Sequence, residues 1–255
     1  MQIRLKYFII IIIYYYIITY EVIHHPDNTA SSNMNEQASL VSTWSKQNNT
    51  KLNTKKTKEM QICFSRQPPK LDPIIIDDTE IEVVSQVKLL GVWFKNDLTW
   101  HTHIEEVHKK ACKRIFYIVM MRRAVYNQGE MTNAYTSLIR SVLEYAAPVW
   151  HSSLTNEQSR LLESIQKRVL KIIFPRSSYE EALTKCDLDH LSDRRTAICR
   201  KLFREMHNPE HKLNHLLPKP KETSGLRKQN SYEPPKARTK RYKVTYIPYC
   251  LYNFQ

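Results

Sequence analysis

The sequence predicts an α+β fold that is mainly α-helical, with a small β-sheet and one helix in the first part and a helical bundle after it. Three observations predict this class. Hydrophobic residues make up 42% of the 255 residues, enough for a sizeable core. Up to residue 97 the apolar residues occur in short runs rich in Ile and Val, which are typical of strands. From His101 onward they recur every three or four residues, the period of an amphipathic helix.

The N-terminal segment, residues 1–23, is strongly apolar from Tyr7 to Ile23 and begins with basic residues. Basic residues before an apolar run are typical of a signal peptide or a membrane anchor. The uninterrupted run ends at Tyr20, however, and a membrane-spanning helix needs about 20 residues. Ile and Tyr also favour strands over helices. The segment is therefore predicted to be either a membrane anchor or a degenerate strand.

Residues 24–97 are predicted to form the sheet and the one helix that accompanies it. A polar loop precedes a helix over about 35–50, whose inner face would carry Ala38, Val41 and Trp44. A short strand follows at 61–66, and further strands at 74–94 surround a turn. Asp77 and Asp78 are turn-forming residues at that point.

Residues 98–217 are predicted to be helical. Three amphipathic helices with short connections predict a small bundle: one from His101, one over 131–146 that Pro148 ends, and one over 156–174 that Pro175 ends. Further helices are expected at 179–186 and 191–206. The predicted inner residues are, in the first helix, Ile104, Val107, Ala111, Ile115, Ile118 and Val119; in the second, Tyr135, Leu138, Ile139, Val142 and Leu143; in the third, Leu161, Leu162, Ile165, Val169 and Ile172.

The C-terminal segment, residues 218–255, has no apolar periodicity. It is rich in Pro, and from residue 219 it contains nine Lys or Arg against two acidic residues. A basic, aperiodic segment of this kind is predicted to be disordered.

The net charge indicates the class of partner. There are 39 Lys and Arg against 25 Asp and Glu, a formal charge of +14, and such an excess predicts a polyanionic partner such as nucleic acid. The alternative is an ordinary solvated surface. The candidate phosphate contacts lie on the outer faces of the first and third helices: Lys109, Lys110, Lys113, Arg114, Lys167, Arg168 and Lys171.

Glycine and cysteine usage excludes several kinds of site. Three glycines provide neither a Walker-type loop nor a GxGxxG motif. Five dispersed cysteines without a CxxC pair do not indicate a disulfide framework or a zinc site. Reduced thiols predict an intracellular protein, cytoplasmic or nuclear, with a membrane location as the alternative. No metal or cofactor is predicted.

Four separated blocks occur in an order that resembles a known family. They read WSKQNNTKLNTKKTKEMQICF, VKLLGVWFKNDLTWHTHIEEVHKKA, LIRSVLEYAAPVW and LLESIQKRVLKII. Together they resemble the C-terminal third of the reverse transcriptases of non-long-terminal-repeat, LINE-type, jockey-like retrotransposons, over about residues 21–217. The resemblance implies a partial palm and primer-grip hairpin over 24–97 and a thumb-like helical domain over 98–217.

The resemblance also implies roles for particular residues. The primer grip would fall to the LLGVWF segment, that is to Leu90, Gly91, Val92, Trp93 and Phe94. Lys56 matches the lysine of the Asn-x-x-Lys-Thr pattern, although without a metal site it is predicted to be a turn lysine. A thumb holds its duplex by the backbone, which gives affinity that is independent of base sequence and sensitive to salt.

The Asp77–Asp78 pair does not match the catalytic turn that the resemblance implies. In that family the magnesium-binding pair lies in a Tyr-x-Asp-Asp turn before the late-palm helix, where this sequence reads YYYIITYEVIHH and has no Asp. Two-metal phosphoryl transfer also needs a third carboxylate on an adjacent strand. The intact family would use Mg²⁺, whereas this chain is predicted to use no cofactor, and Asp77–Asp78 is predicted to be a hairpin turn.

The expected function is accordingly that of a truncated, catalytically inactive reverse-transcriptase-like protein of a transposable element, with residual nonspecific nucleic-acid binding. Two alternatives stay open. One is a small protein anchored in a membrane by Tyr7–Ile23, and the other is an accessory fragment of an RNA-directed DNA polymerase assisted by another chain.

Overall fold

The structure, a computed structural model, describes residues 7–13, 17–23, 33–64, 71–220 and 232–255. It divides into two compact units, Met1–Thr102 and His103–Gln255. The first unit carries the strands and one helix, whereas the second is helical, so the predicted α+β, mainly α class is confirmed.

The first unit contains a four-stranded sheet. Its elements are β1 (Tyr7–Ile13), β2 (Ile17–Ile23), α1 (Met34–Gln47), β3 (Lys58–Cys63), β4 (Ile75–Ile76), β5 (Thr79–Glu80), β6 (Glu82–Val83), β7 (Gln86–Leu89) and β8 (Val92–Lys95). The sheet has the order β2-β1-β3-β6, in which only β3 and β6 are parallel. The pairs β4–β5 and β7–β8 form two separate hairpins.

The apolar N-terminal segment contributes two strands of that sheet. Tyr7 lies opposite Ile23 in the antiparallel β1–β2 pair, and β1 also pairs with β3. The segment is therefore extended, as one of its two predicted forms requires, but it makes two strands instead of one. Among the helices in the described ranges, none combines the length and the apolar character needed to cross a membrane.

Helix α1 packs a partly polar face against the β4–β5 hairpin of the same unit. Met34 and Ala38 join a core cluster with Ile74, Ile76 and Ile81, while Trp44 is exposed. The predicted inward position of Trp44 is therefore wrong. Two serines take the inner positions instead, since the hydroxyl of Ser45 donates to the Ser42 carbonyl (3.0 Å) and that of Ser42 donates to Asp77 (2.8 Å). Both serines are satisfied inside, which a pattern based on hydrophobicity cannot reveal.

The second unit consists mainly of helices. They are α2 (His101–Arg123, which begins two residues before the unit), α3 (Gln128–Ala134), a π-helical segment (Tyr135–Arg140), α4 (Ser141–Glu144), α5 (Ala147–Trp150), α6 (Asn156–Ile173), α7 (Tyr179–Cys186), α8 (Leu191–Glu205), α9 (Lys240–Lys243) and α10 (Tyr246–Asn253). The predicted inner residues of α2 are buried, except that Val119 is half-buried. In α6 Leu162, Ile165 and Val169 are buried as predicted, whereas Leu161 and Ile172 are half-buried.

One residue predicted to lie in the core is exposed, and it belongs to the π-helical segment. Tyr135, Ile139 and Leu143 are buried as predicted, but Leu138 is exposed. A π-turn closes its hydrogen bonds at i→i+5 and holds more residues than an α-turn. The side chains that follow its start are therefore rotated away from the positions that a 3.6-residue period assigns to them.

Pro148 does not end the second predicted helix. That helix ends at Glu144, and Ala146 takes a left-handed backbone conformation (φ 53°). Pro148 instead lies in the first turn of α5, where its missing N–H has no helical partner to lose. The first turn of a helix and the point after its end are both suitable for proline, and the sequence alone did not separate them.

The predicted disorder after residue 218 is corrected for residues 232–255. These residues include α9 and α10, and they form a core cluster with α8 in which Cys250 and Leu251 are buried against Phe203. The hydroxyl of Tyr246 also donates to the carbonyl of Cys199 (2.9 Å). The apolar residues of the YIPYCLYNF segment make these core contacts, although a basic stretch precedes them. Residues 221–231 lie outside the described part.

A buried arginine lies at the centre of the second unit. Arg195 is fully buried, its Nε donates to His151 Nδ1 (3.3 Å) and its Nη2 donates to Ser159 Oγ (3.1 Å). The Nε2 atom of His151 is 3.1 Å from the hydroxyl of Thr196. Burial, together with the Arg195 charge, lowers the pKa of His151 from 6.5 to about 4. His151 is thus held neutral, with Nδ1 as an acceptor.

The hydrogen-bonded pair of Arg195 and His151 predicts a loss of stability in mild acid. Between pH 6.5 and about 4 the unfolded chain takes up a proton at His151 that the folded chain does not. The free energy of unfolding should therefore fall by about 2 kcal/mol as the pH drops through this window. Urea unfolding of the parent chain and of His151→Gln at several pH values measures it. The variant should lose that part of the pH dependence, and equal dependence in both chains would contradict the assignment.

Candidate nucleic-acid interface

Three of the predicted contact residues meet at one pocket. Lys167, Arg168 and Lys171 are exposed on α6, opposite its buried face, as predicted. Together with the start of α7 they line a pocket of about 370 Å³. The remaining lining residues are small, hydroxyl-bearing or apolar: Leu170, Ser177, Ser178, Tyr179 and Ala182. All three charged side chains in the lining are cationic, so the pocket has the electrostatic character of an anion site.

Helix α7 begins with a capping box, and a part-buried hydrogen bond joins it to α6. The Ser178 hydroxyl accepts from the Glu181 N–H, and the Glu181 carboxylate accepts from the Ser178 N–H, a capping box. The ring of Tyr179 lies 5.0 Å from Lys167 Nζ, and its hydroxyl donates to Glu163. Burial and the bond to Glu163 raise the pKa of Tyr179 far above its usual value, which keeps the hydroxyl protonated.

A fourth cation contacts the pocket wall from α7. Lys185 Nζ donates to the hydroxyl of Ser177 (2.8 Å), and Ser177 is itself buried in the lining. Two carboxylates, Glu180 and Glu181, lie in the first turn of α7 outside the lining. The pocket therefore combines three cations with hydroxyl groups, a set suited to a phosphate group.

The predicted contacts on α2 divide into two kinds. Lys109, Lys110 and Lys113 are exposed on the outer face, and Lys109 pairs with Glu106 at 2.8 Å. This hydrogen bond raises the pKa of Lys109. Arg114 is different, because its guanidinium donates to the carbonyl of Leu138 in the π-helical segment. Arg114 therefore ties α2 to the neighbouring helix and is half-buried, while its role as a phosphate contact stays a prediction.

The predicted primer-grip residues form the β7–β8 hairpin. Leu90 and Gly91 make a two-residue turn in which both have positive φ (46° and 85°), as in a type I′ turn. Gly91 thus supplies a left-handed turn position, which a residue without a side chain adopts readily. Val92 is buried, whereas Trp93 is half-buried with Lys88 Nζ 5.9 Å from its ring.

The end of the hairpin is packed by aromatic contacts. The rings of Phe94 and Trp100 meet edge to face at 5.6 Å, and Trp100 is buried. Lys56, at the position of the Asn-x-x-Lys-Thr lysine, lies in the turn before β3, where its N–H donates to Asn53. The prediction that Lys56 is a turn lysine at the strand entry is therefore confirmed.

The Asp77–Asp78 pair is the turn between β4 and β5, as predicted. Both residues have positive φ (44° and 60°). One carboxylate oxygen of Asp77 accepts from Lys46 Nζ (2.7 Å) and from Ser42, and these hydrogen bonds lower the pKa of Asp77. Within the described ranges, no three His, Cys, Asp or Glu side chains lie together as metal ligands would. The absence of catalysis stays a prediction.

Sequence reasoning did not find the hydroxyl groups of the pocket. Ser177 and Ser178 follow Pro175 and Tyr179 begins α7, and only the Ser178-x-x-Glu181 spacing signals a helix start there. No protein-family model, curated protein or solved structure matches this chain. The likeness to reverse transcriptases therefore depends on the four sequence blocks and their order.

Proposed function

We propose that this protein binds nucleic acids through their phosphate groups without sequence preference, and that it is a catalytically inactive, reverse-transcriptase-like protein of a non-long-terminal-repeat retrotransposon. It uses no cofactor and acts in the cytoplasm or the nucleus. The observation that carries the binding proposal is the pocket in which Lys167, Arg168 and Lys171 converge. The order of the four sequence blocks supports the origin.

The physical reason for binding is counterion release. Each phosphate that a lysine or arginine neutralises frees condensed cations from the polynucleotide, so affinity falls as salt rises. The pocket offers one anion three cations, and the lysines of α2 supply further contacts along the backbone. None of these groups selects a base edge, which accounts for binding without sequence preference.

Removing the pocket charges should weaken binding to a short DNA duplex. In Lys167→Ala/Arg168→Ala/Lys171→Ala the magnitude of the slope of log affinity against log salt should fall by about 1, because the three cations act on one phosphate and about 0.9 of slope is lost per phosphate contact. Affinity at low salt should drop at least about tenfold. Fluorescence anisotropy with a labelled duplex at several salt concentrations measures both quantities.

The matched control removes the same charge elsewhere in the second unit. Lys201→Ala/Arg204→Ala/Lys212→Ala also deletes three exposed cations, and it should change duplex affinity by no more than about threefold. Equal losses in the two variants would leave only a general charge effect and contradict a pocket site. Magnesium-dependent primer extension by the purified protein would contradict the inactive part of the proposal.

A further inference from the structure

The outer face of α2 exposes two aromatic side chains and a methionine that are not among the predicted phosphate contacts. Phe116 is 59% exposed, Tyr117 is 55% exposed and Met120 is 43% exposed. All three lie opposite the buried face of the helix, which carries Ile115 and Ile118. Single exposed apolar residues are ordinary on protein surfaces, but three within little more than one turn form a patch that indicates a binding surface.

The same face carries the lysines. Lys109, Lys113, Phe116 and Met120 follow one another at spacings of four, three and four residues, so they form one stripe along the helix. Arg123, three residues after Met120, extends the stripe. From Lys109 to Arg123 it is about 21 Å long at 1.5 Å per residue. Its cations thus precede and follow its aromatic rings.

The acidic residues on this face lie at one end of the stripe. Glu105 and Glu106 lie in the second turn of α2, and Glu106 pairs with Lys109. Both partners of that pair are largely exposed, and such a surface pair contributes little stability. A phosphate group can therefore replace the carboxylate at Lys109, while the rest of the stripe is cationic and aromatic.

Cations beside exposed rings recognise a single strand better than a duplex. In a duplex the bases stack on one another, whereas an unpaired base offers its face to an aromatic side chain. The rings of Phe116 and Tyr117 are 6.1 Å apart at 67°, so they do not stack face to face on each other. We infer that the outer face of α2 binds single-stranded nucleic acid, with lysines on the phosphates and Phe116 and Tyr117 stacked on bases. This inference rests on the proposed function.

The test compares a labelled oligothymidine with a DNA duplex of the same length by fluorescence anisotropy. Phe116→Ala/Tyr117→Ala should weaken oligothymidine binding at least about tenfold and change duplex binding by no more than about twofold. Phe116→Leu/Tyr117→Leu keeps the apolar surface but removes the rings, so it should show a similar loss. Leu213→Ala/Leu216→Ala removes two exposed apolar side chains elsewhere in the second unit and should leave both affinities unchanged.

The outcomes separate this inference from the proposed function. If the parent chain binds neither probe at low salt, the proposed function fails. If the parent binds the duplex but not oligothymidine, or if the alanine variant loses both affinities equally or neither, only the stacking inference fails. Oligothymidine binding that survives in the leucine variant also contradicts stacking. If sedimentation shows a dimer that the alanine variant converts to a monomer with oligothymidine affinity intact, the face binds a second copy of the chain instead.

Discussion

Replacing Trp150 with alanine is expected to lower the free energy of unfolding by about 3–5 kcal/mol. Trp150 is fully buried, and its indole N–H donates to the carbonyl of Tyr145 (3.0 Å). Its ring lies 5.6 Å from the ring of His103 on α2 and 5.9 Å from the guanidinium of Arg195 on α8. The alanine variant therefore leaves a cavity where three elements meet and removes the ring that faces a buried charge. Urea unfolding followed by far-ultraviolet circular dichroism measures the change.

The control for this variant is an exposed aromatic residue of the same unit. Tyr126 is 49% exposed, so Tyr126→Ala should stay within about 0.5 kcal/mol of the parent chain. The denaturant dependence of the unfolding free energy should be unchanged in both variants, since neither alters the surface exposed on unfolding by much. A Trp150→Ala effect as small as that of Tyr126→Ala would contradict a core position for Trp150.

Helices that begin and end with strong local signals were predictable from the sequence. The Ser178-x-x-Glu181 and Thr155-x-x-Gln158 capping boxes begin α7 and α6, and α6 ends just before Pro175. The predicted bounds of α7 agree with the structure, and those of α6 differ by one residue. In these helices the local hydrogen bonds and the apolar period specify the same bounds, so no tertiary information is needed.

Features that depend on tertiary partners were not predictable. Ser42 and Ser45 are buried because hydrogen bonds satisfy them, and Asp77, one of those partners, lies 35 residues from Ser42. Leu138 is exposed because the helix is π-helical there, and hydrophobic periodicity assumes an α-helix throughout. The fold of residues 232–255 depends on contacts with α8, which a segment judged by its own composition does not reveal.

The candidate site, too, was predictable where local signals determine it and not where tertiary contacts do. The outer positions of Lys167, Arg168 and Lys171 follow from the amphipathic period of α6 alone. The pocket also needs the turn that brings Ser177 beside them, which is a tertiary arrangement. Arg114 shows the converse case, because its helical position is compatible with solvent but a backbone carbonyl of another helix accepts its hydrogen bond.

Gln166 is a fully buried polar residue whose hydrogen bonds should contribute strongly to the stability of the second unit. It is fully buried, its Oε1 accepts from the hydroxyl of Tyr135, and its Nε2 donates to the hydroxyl of Tyr179 and to the carbonyl of Asp189, both at 2.9 Å. Burial raises the pKa of Tyr135 well above its usual value, so this phenol stays a donor. Gln166→Met keeps the approximate volume but leaves the buried Tyr135 hydroxyl without its acceptor and removes the donor to Tyr179 and Asp189, so it should lower the free energy of unfolding by about 2–4 kcal/mol.

A second substitution separates lost hydrogen bonds from lost packing. Tyr135→Phe removes the buried hydroxyl that Gln166→Met leaves unsatisfied, so the double variant should be destabilised by about 1 kcal/mol less than the sum of the two single variants. Strict additivity in urea unfolding would mean that the two side chains do not interact.

Because Gln166 also holds the hydroxyl of Tyr179, whose ring lines the pocket, the Gln166→Met variant should in addition weaken duplex binding while its three pocket cations remain. Unchanged duplex affinity in a folded Gln166→Met variant would show that the pocket does not depend on the position of Tyr179.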